Sequence, residues 1–485
     1  MDDRARALAC DRAAGRTRRR RTELMDYWQS SIVANLLSIG VFLAIAAILR
    51  AKIPAWGRLA VPDGITAGAL ALIFGPDLLA LAPLDRSALE PGVYHGFAIV
   101  FIAVGLQAAP RNDAAKRSSA RSLSFAFVAM AVVQSLVTFG VLAIWGDASN
   151  HPGLGFMVTL GFAQGPGQAL SFGSAWERVG MTDGAQIGLA FAAVGFAWCC
   201  ALGVPLVAIA RRKGWIDPLP PIEARVADPH VHDLAAPQSV EVRTSTKMEP
   251  LTVQLVIIAC IYAAVFGALV MITRALPAGS FTATLWGFHF LFGSAFAIVL
   301  RRLSDRARKP LPLDDGLLGR VAVVAVDFTT AAALGAIELH TLGRYLVPIL
   351  VLSTIGGLLT LWIALWLARR AFPEAPFSHA LLLYGTCTGT IPTGLALLRM
   401  VDPELRGPVA RSTVIAATTS VPLGIPLFMG VIPLAVSRWP SGWWPSIVIP
   451  LAALAIYTVV LAVLWRRLAW LKWLRPLRSV WPPDR

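Results

Sequence analysis

The sequence predicts an all-α polytopic membrane protein: two inverted-topology five-helix repeats, each with a re-entrant hairpin, plus one extra C-terminal transmembrane helix. Three observations carry that expectation. Of 485 residues, 56% are hydrophobic and only 15% are charged, whereas a soluble domain carries roughly 25% charge and uses it to wet its surface. The apolar residues gather into runs that match the roughly 20 residues a helix needs to cross the hydrocarbon. The net charge of +15 sits in short basic clusters between those runs. That is how cytoplasmic loops are charged, so the expected partner is the lipid bilayer and no nucleic acid.

Taken in order, residues 1–24 are polar and Arg-rich, with Arg18, Arg19, Arg20 and Arg21 in a row. They read as a disordered or mis-annotated extension. No apolar h-region makes them a signal peptide, and Met25-Asp26-Tyr27-Trp28 runs straight into the first span, so translation is expected to start at Met25. The first repeat, 25–210, holds apolar runs at 29–49, 60–76, 93–109, 123–145 and 184–210. Between the last two, a stretch at about 155–176 is apolar but broken at its centre by Gly165-Pro166-Gly167. Residues 211–249 mix charges with Pro218, Pro220, Pro221, Pro229 and Pro237, the composition of a cytoplasmic linker. The second repeat, 250–435, has runs at 251–272, 281–300, 320–338, 343–368 and 409–435, and its own broken stretch at about 380–400 around Gly389-Thr390-Ile391-Pro392-Thr393-Gly394. A last run, 444–465, lies within the segment 436–485 and adds a helix that returns the tail to the cytoplasm.

Loop charge orients these spans. Basic residues cluster at Arg50/Lys52/Arg58, Arg111/Lys116/Arg117/Arg121, Arg211/Arg212/Lys213, Arg301 to Lys309, Arg369/Arg370 and Arg466 to Arg478. They fall on one face only if both broken stretches enter and leave on the same side, as hairpins. The expected topology then has the N-terminus outside and the linker and C-terminus cytoplasmic, in a bacterial inner membrane. Five crossings separate the two halves, so the first hairpin enters from outside and the second from the cytoplasm. Unpaired backbone survives at membrane depth only where it is buried in protein or lines a wet cavity. Broken elements at equivalent places in two halves are therefore where a transporter builds its site.

The candidate path residues follow from the breaks: Gln164, Gly165, Pro166, Gly167, Gln168 and Ser171, with Ser174, on the first hairpin, and Thr388, Gly389, Thr390, Pro392 and Thr393, with Thr386, on the second. Hydroxyls and freed carbonyls suit a cation or a polar solute, and Gln168 suits a carboxylate or amide. The alternative is hydroxyl-to-carbonyl bonding within each helix. Asp327, with Thr329 and Thr330, lies inside a span, where a carboxylate is costly unless it functions as an ion or proton site. The alternative is a solvated cap on a helix that starts later. Arg399 reads as a positive-inside residue with a lesser claim on an acidic substrate, His289 as a lone membrane histidine bonded to a neighbouring helix, and Glu177 and Asp183 as solvated groups at the outer mouth. The sixteen tryptophans suit an interfacial belt, as at Trp439, Trp443 and Trp444.

Gly165-Pro166-Gly167-Gln168, Ser174-Ala175-Trp176-Glu177, Gly180-Met181-Thr182-Asp183 and the continuation through Gly195, Gly203 and Pro205 together resemble the sodium/glutamate symporter family. Gly389-Thr390-Ile391-Pro392-Thr393-Gly394 is similar to that family's second hairpin, Ile102-Ala103-Val104-Gly105-Leu106 to its third span, and the setting of Asp327 to its eighth. The resemblance covers most of 29–435. It implies Na⁺-coupled symport of glutamate or a related small carboxylate by alternating access, with Na⁺ or H⁺ as coupling ion, no cofactor, no fixed metal site, and a small anionic substrate; a homodimer fits the same pattern. Gly165-Pro166-Gly167-Gln168 departs from the family's Gly-His-Gly-Thr, Leu397-Leu398 stands where the family has an Asn, and Thr418-Thr419-Ser420-Val421-Pro422 lacks its aspartate. A proton-coupled carrier or exporter of another small organic solute on the same fold is the alternative, with a membrane-embedded enzyme ranked below it. No enzyme activity is expected. Five scattered cysteines have no metal spacing, and there is no nucleophile elbow, no Asp pair, no intramembrane metal pair and no nucleotide-binding loop.

Overall fold

The computed structural model describes residues 30–53, 61–108, 116–146, 150–216, 248–276, 280–402, 408–436 and 442–472. The proposed extension at 1–24 and most of the linker, 217–247, lie outside the described residues. Among the described residues there is no strand, and ten helices are long and apolar enough to cross a membrane. The chain is an all-α, multi-pass membrane protein.

The first half comprises α1 (Ser31–Lys52), α2 (Asp63–Phe74), α3 (Arg86–Gly105), α4 (Lys116–Trp145), α5 (Leu154–Gln164), α6 (Pro166–Glu177) and α7 (Gly184–Arg212). The second comprises α8 (Pro250–Ala275), α9 (Ser280–Gly287), α10 (His289–Arg306), α11 (Asp315–Gly335), α12 (Leu339–Ala371), α13 (Pro376–Arg399) and α14 (Pro408–Ile425), which runs on through a wide turn to Val436. The last helix is α15 (Trp443–Leu468). Basic residues close α1, α7, α12 and α15 (Arg50 and Lys52, Arg211 and Arg212, Arg369 and Arg370, Arg466 and Arg467). There they meet the negative ends of the helix dipoles.

Two of the expected spans are not plain helices. The run 60–76 forms only the 12-residue α2; Pro62 starts it, and Gly75-Pro76 cannot continue it. The run 281–300 divides at Phe288 (φ −90°, ψ 5°) into α9 and α10. Its Gly287 lies where a Cβ would come 3.1 Å from the Phe172 ring and 3.4 Å from the Ser171 carbonyl, so the break sits directly on the first broken stretch.

The helices gather into two groups. In one, α1 packs on α2, α2 and α3 on α11, and α3 and α8 on α10. In the other, α4 packs on α12, α14 and α15, while α7 packs on α6, α12 and α13. The groups meet where α3 and α9 lie against α6. Gln186 of α7 ties the seam: it donates to Glu90 (2.6 Å) and to the Ala336 carbonyl (3.1 Å) and accepts from the Glu338 N–H (2.8 Å).

A matching clamp recurs in the two halves. Asn35 of α1 exchanges hydrogen bonds with the backbone of Asp85 (2.7 and 2.8 Å), and Asp85 caps α3 by accepting from Ser87 N–H at 3.0 Å. Gln254 of α8 donates to the Pro312 carbonyl (2.8 Å) and accepts from Asp314 N–H (3.4 Å), and Asp314 caps α11 by accepting from Leu317 N–H at 2.9 Å. In each case an amide on a half's first helix holds the loop that starts the helix of its third apolar run. Each caps an exposed helix N-terminus with a carboxylate, where N–H groups lack intrahelical partners.

Candidate functional site

The two broken stretches are helical hairpins. Trp176 packs against Gly153, where a Cβ would come 2.6 Å from its ring, and its ring lies 6.4 Å from that of Phe156. A continuous helix would hold residues 20 positions apart at about 30 Å, so α5 and α6 fold back on each other at Gly165. Within α13 the break falls at Gly389 (φ −150°, ψ 23°) and Thr390 (φ 78°, ψ 167°). A Cβ on Gly394 would lie 2.9 Å from the Leu382 carbonyl, and one on Gly385 would lie 2.8 Å from the Gly394 Cα, so its two legs also run side by side.

Helix α7 threads both hairpins and shows which way each points. At its N-terminal end Ala185 N–H donates to Glu177 at 2.9 Å, and Gly184 and Gly173 touch backbone to backbone. Midway, a Cβ on Gly195 would collide with the Thr388 carbonyl (2.4 Å) and the Phe162 ring (2.7 Å). At its far end Arg211 donates to the Met400 carbonyl, and Trp215 packs 6.2 Å from Phe377. Both ends of the first hairpin therefore lie at the start of α7, both ends of the second at its finish, and the tips meet beside its middle.

At that meeting the backbones match. Gly165 has φ 87°, ψ 178° and Thr390 has φ 78°, ψ 167°, a region that is essentially glycine-only. A Cβ on Gly165 would sit 2.5 Å from the Thr390 methyl. Glycine at 165 is thus required twice, by its own φ and by the opposing tip. Phe97 of α3 covers the leg just past the first tip: a Cβ on Gly167 would come 2.3 Å from its ring. Pro392 is exposed and Gln164 is half-buried.

The hydroxyls mostly serve their own helices. Ser171 donates to the Gly167 carbonyl (2.6 Å), Thr388 to that of Tyr384 (2.7 Å) and Thr393 to that of Gly389. Gln168 donates to Gln164 Oε1 at 3.0 Å. Two oxygens are left over: Gln168 Oε1 and Thr386 Oγ1 are buried with no protein partner. A buried polar atom without a partner is costly, so these two mark where a cation, water or solute group would be accommodated. Ser174 is half-buried further along the same leg. Between the tips and the helix ends, the described hairpin side chains carry no charge until Glu177 and Arg399. Amides, hydroxyls and backbone dipoles supply the site's electrostatics.

The residue that sequence reading missed is Gln134 of α4. Fully buried, it donates to Thr360 of α12 (2.7 Å) and to the Cys387 carbonyl near the second tip (2.9 Å), and its Oε1 has no protein partner. Beside it, Ser135 bonds Thr159 of the first hairpin (2.7 Å), and Thr138 donates to the Gly155 carbonyl (2.5 Å). One polar ladder on α4 therefore grips both hairpins. Its signal was a Gln134-Ser135-x-x-Thr138 pattern on one helical face inside an apolar run.

The other candidates sit on neighbouring elements or at the hairpin ends. Asp327 is half-buried midway along α11, its carbonyl 2.9 Å from where a Gly64 Cβ would be, on the α2 side where Arg50 pairs with Asp63 (2.8 Å). Thr329 faces Gly96 of α3, next to the Phe97 that covers Gly167, and Thr330 is half-buried beside it. α11 itself packs on α6, the second leg of the first hairpin. Arg399 is exposed at the end of the second hairpin. Asp183 pairs with Arg344 at 3.6 Å. At the first hairpin's mouth, His151 accepts from Gly153 N–H through Nδ1 (3.0 Å), and its burial pushes its pKa down to about 4. Asp77, in the loop after α2, is pushed up by burial, but hydrogen bonds from Arg86 and Leu339 N–H outweigh that and hold it below the ordinary carboxylate range. No protein-family model matches this chain, and no curated protein matches it.

Proposed function

We propose that this protein is a secondary active transporter resembling the sodium/glutamate symporters, using a Na⁺ gradient to carry glutamate or a related small carboxylate across a bacterial inner membrane by alternating access. The observation that carries the reading is the tip-to-tip meeting of two broken hairpins beside α7, with buried oxygens of Gln168 and Thr386 lacking partners there. The fold on this reading is a pair of inverted-topology repeats with re-entrant hairpins, the first entering from outside and the second from the cytoplasm. The recurring Asn35 and Gln254 clamps, the matched backbone at Gly165 and Thr390, and the opposite mouths along α7 support it. The N-terminus is outside, and the linker and C-terminal helix end are cytoplasmic. Freed carbonyls at the ends of the first legs offer oxygen ligands to a hard cation, and N–H groups at the starts of the second legs favour an anionic group. The seam between the two helix groups, where α3 and α9 bear on α6, is the surface across which the hairpins would be re-exposed.

The test is uptake of a labelled panel of amino acids and small carboxylates into proteoliposomes, with and without an inward Na⁺ gradient. Gradient-driven accumulation of a carboxylate supports the reading. Accumulation driven by a pH gradient and indifferent to Na⁺ replaces Na⁺ with H⁺, and absence of any gradient-dependent movement overturns it.

A further inference from the structure

A second titratable centre lies outside the hairpins, at the break between α9 and α10. His289 is 2% exposed, and both of its ring nitrogens face carbonyl oxygens: Nδ1 lies 3.1 Å from the Trp286 carbonyl and Nε2 lies 2.9 Å from the Tyr94 carbonyl. A neutral imidazole has one N–H and one lone pair. It satisfies one of these carbonyls and points its lone pair at the other. Only the imidazolium, with two N–H donors, bonds both. Tyr94 stacks on the ring face to face, centroids 3.7 Å apart and planes 15° apart, and turns its own hydroxyl away to the Trp286 carbonyl (2.7 Å). Both ring nitrogens therefore face backbone carbonyls and the ring is held in plane by the stacked tyrosine.

The surrounding groups supply a neighbour that reaches the surface. Tyr262 of α8 has its ring 6.5 Å from His289, and its hydroxyl bonds His95 Nδ1 at 2.5 Å, with His95 on the exposed face of α3. The titratable groups facing His289 are Tyr94 and His95 from α3 and Tyr262 from α8; α9 presents Trp286 and the first hairpin presents Phe172 through Phe288, none of them charged. Arg178 acts electrostatically on Tyr94 from beyond the first hairpin.

We propose that His289 is a proton-binding site: one proton leaves a hydronium ion, which becomes water, and adds to the ring nitrogen's lone pair, and the resulting imidazolium bridges the Tyr94 and Trp286 carbonyls. The two carbonyl dipoles reduce the cost of placing that charge in the membrane interior. Because Gly287 and Phe288 bear on Ser171 and Phe172 of the first hairpin, charging this ring tightens the α9–α10 break against the element that the transport reading makes mobile. The inference does not rest on that reading, since proton binding is measured without any solute.

The experiment is ring-nitrogen NMR on the full chain in lipid nanodiscs with ¹⁵N-histidine and carbonyl-¹³C phenylalanine. Phe288-His289 is the one Phe-His pair in the sequence, so this labelling assigns His289 without a substitution. Expected is a residue whose unprotonated-nitrogen signal is lost as pH falls from about 8 to about 3, leaving two protonated nitrogens. His289→Gln should remove that titration, and His95→Gln should leave its end states intact. A His289 that keeps one protonated and one bare nitrogen over the whole range overturns the proposal, whatever the transport assays find.

Discussion

Exchanging Thr390 for glycine and for alanine separates backbone strain from side-chain contact at the point where the hairpins meet. Thr390 holds φ 78°, ψ 167°, and a non-glycine residue there costs about 1–3 kcal/mol. Thr390→Ala keeps that strain and deletes the methyl that faces Gly165, a loss of about 1 kcal/mol. Thr390→Gly deletes the same methyl and releases the strain, but restores about 0.5–1 kcal/mol of unfolded-chain freedom. The balance makes the glycine variant more stable than the alanine variant by about 1–2 kcal/mol, whereas alanine exceeds glycine by about 1 kcal/mol at an ordinary helical site. The order is therefore reversed, and the order is what thermal melts of purified protein in nanodiscs read. Gly165→Ala should be the least stable of the set, because it introduces both an unfavourable φ and a 2.5 Å collision with the Thr390 methyl. An alanine variant at 390 that melts at or above the glycine variant would refute the strained tip. The glycine variant should also transport more slowly than wild type, since its tip no longer has one defined shape.

Gln134→Leu strips the Cys387 carbonyl and Thr360 hydroxyl of their donor and should cost about 1–3 kcal/mol, with uptake falling more than expression; equal losses of both would make the ladder merely structural. Asn35→Ala and Gln254→Ala each remove a clamp on a capped helix, and each should lower the melting temperature by a similar amount if the clamps are equivalent. His151 gives a pH dependence with a definite sign. Its pKa is about 4 folded against an ordinary 6.5, so the unfolded chain takes up a proton first as pH falls. Stability is full above about 6.5, declines by up to about 3 kcal/mol on the way to about 4, and is flat below. His151→Gln should flatten melting temperature between those values, and an unchanged slope would assign it elsewhere.

The class of this protein and the breaks at Gly165 and Gly389-Thr390 were legible in the sequence, because both are local, whereas the break at Phe288 was not. Hydrophobic content sets whether a helix enters lipid, and Gly165-Pro166 or Gly389-Thr390 interrupts a helix through its own φ/ψ preferences and missing donors, whatever packs around it. Charge between runs is equally local, which is why the helices end at the expected basic clusters. Tertiary structure alone decided what the breaks face. It brought Gly165 against Thr390, placed Gln134 from α4 on the second tip, left Asp327 against Gly64 of α2, and set His289 between two carbonyls. In lipid every outward face is apolar and inward faces are only somewhat less so, so periodicity does not say which helix meets which. Close packing through small residues and a few buried hydrogen bonds makes that choice, and those partners lie on segments far apart in the chain.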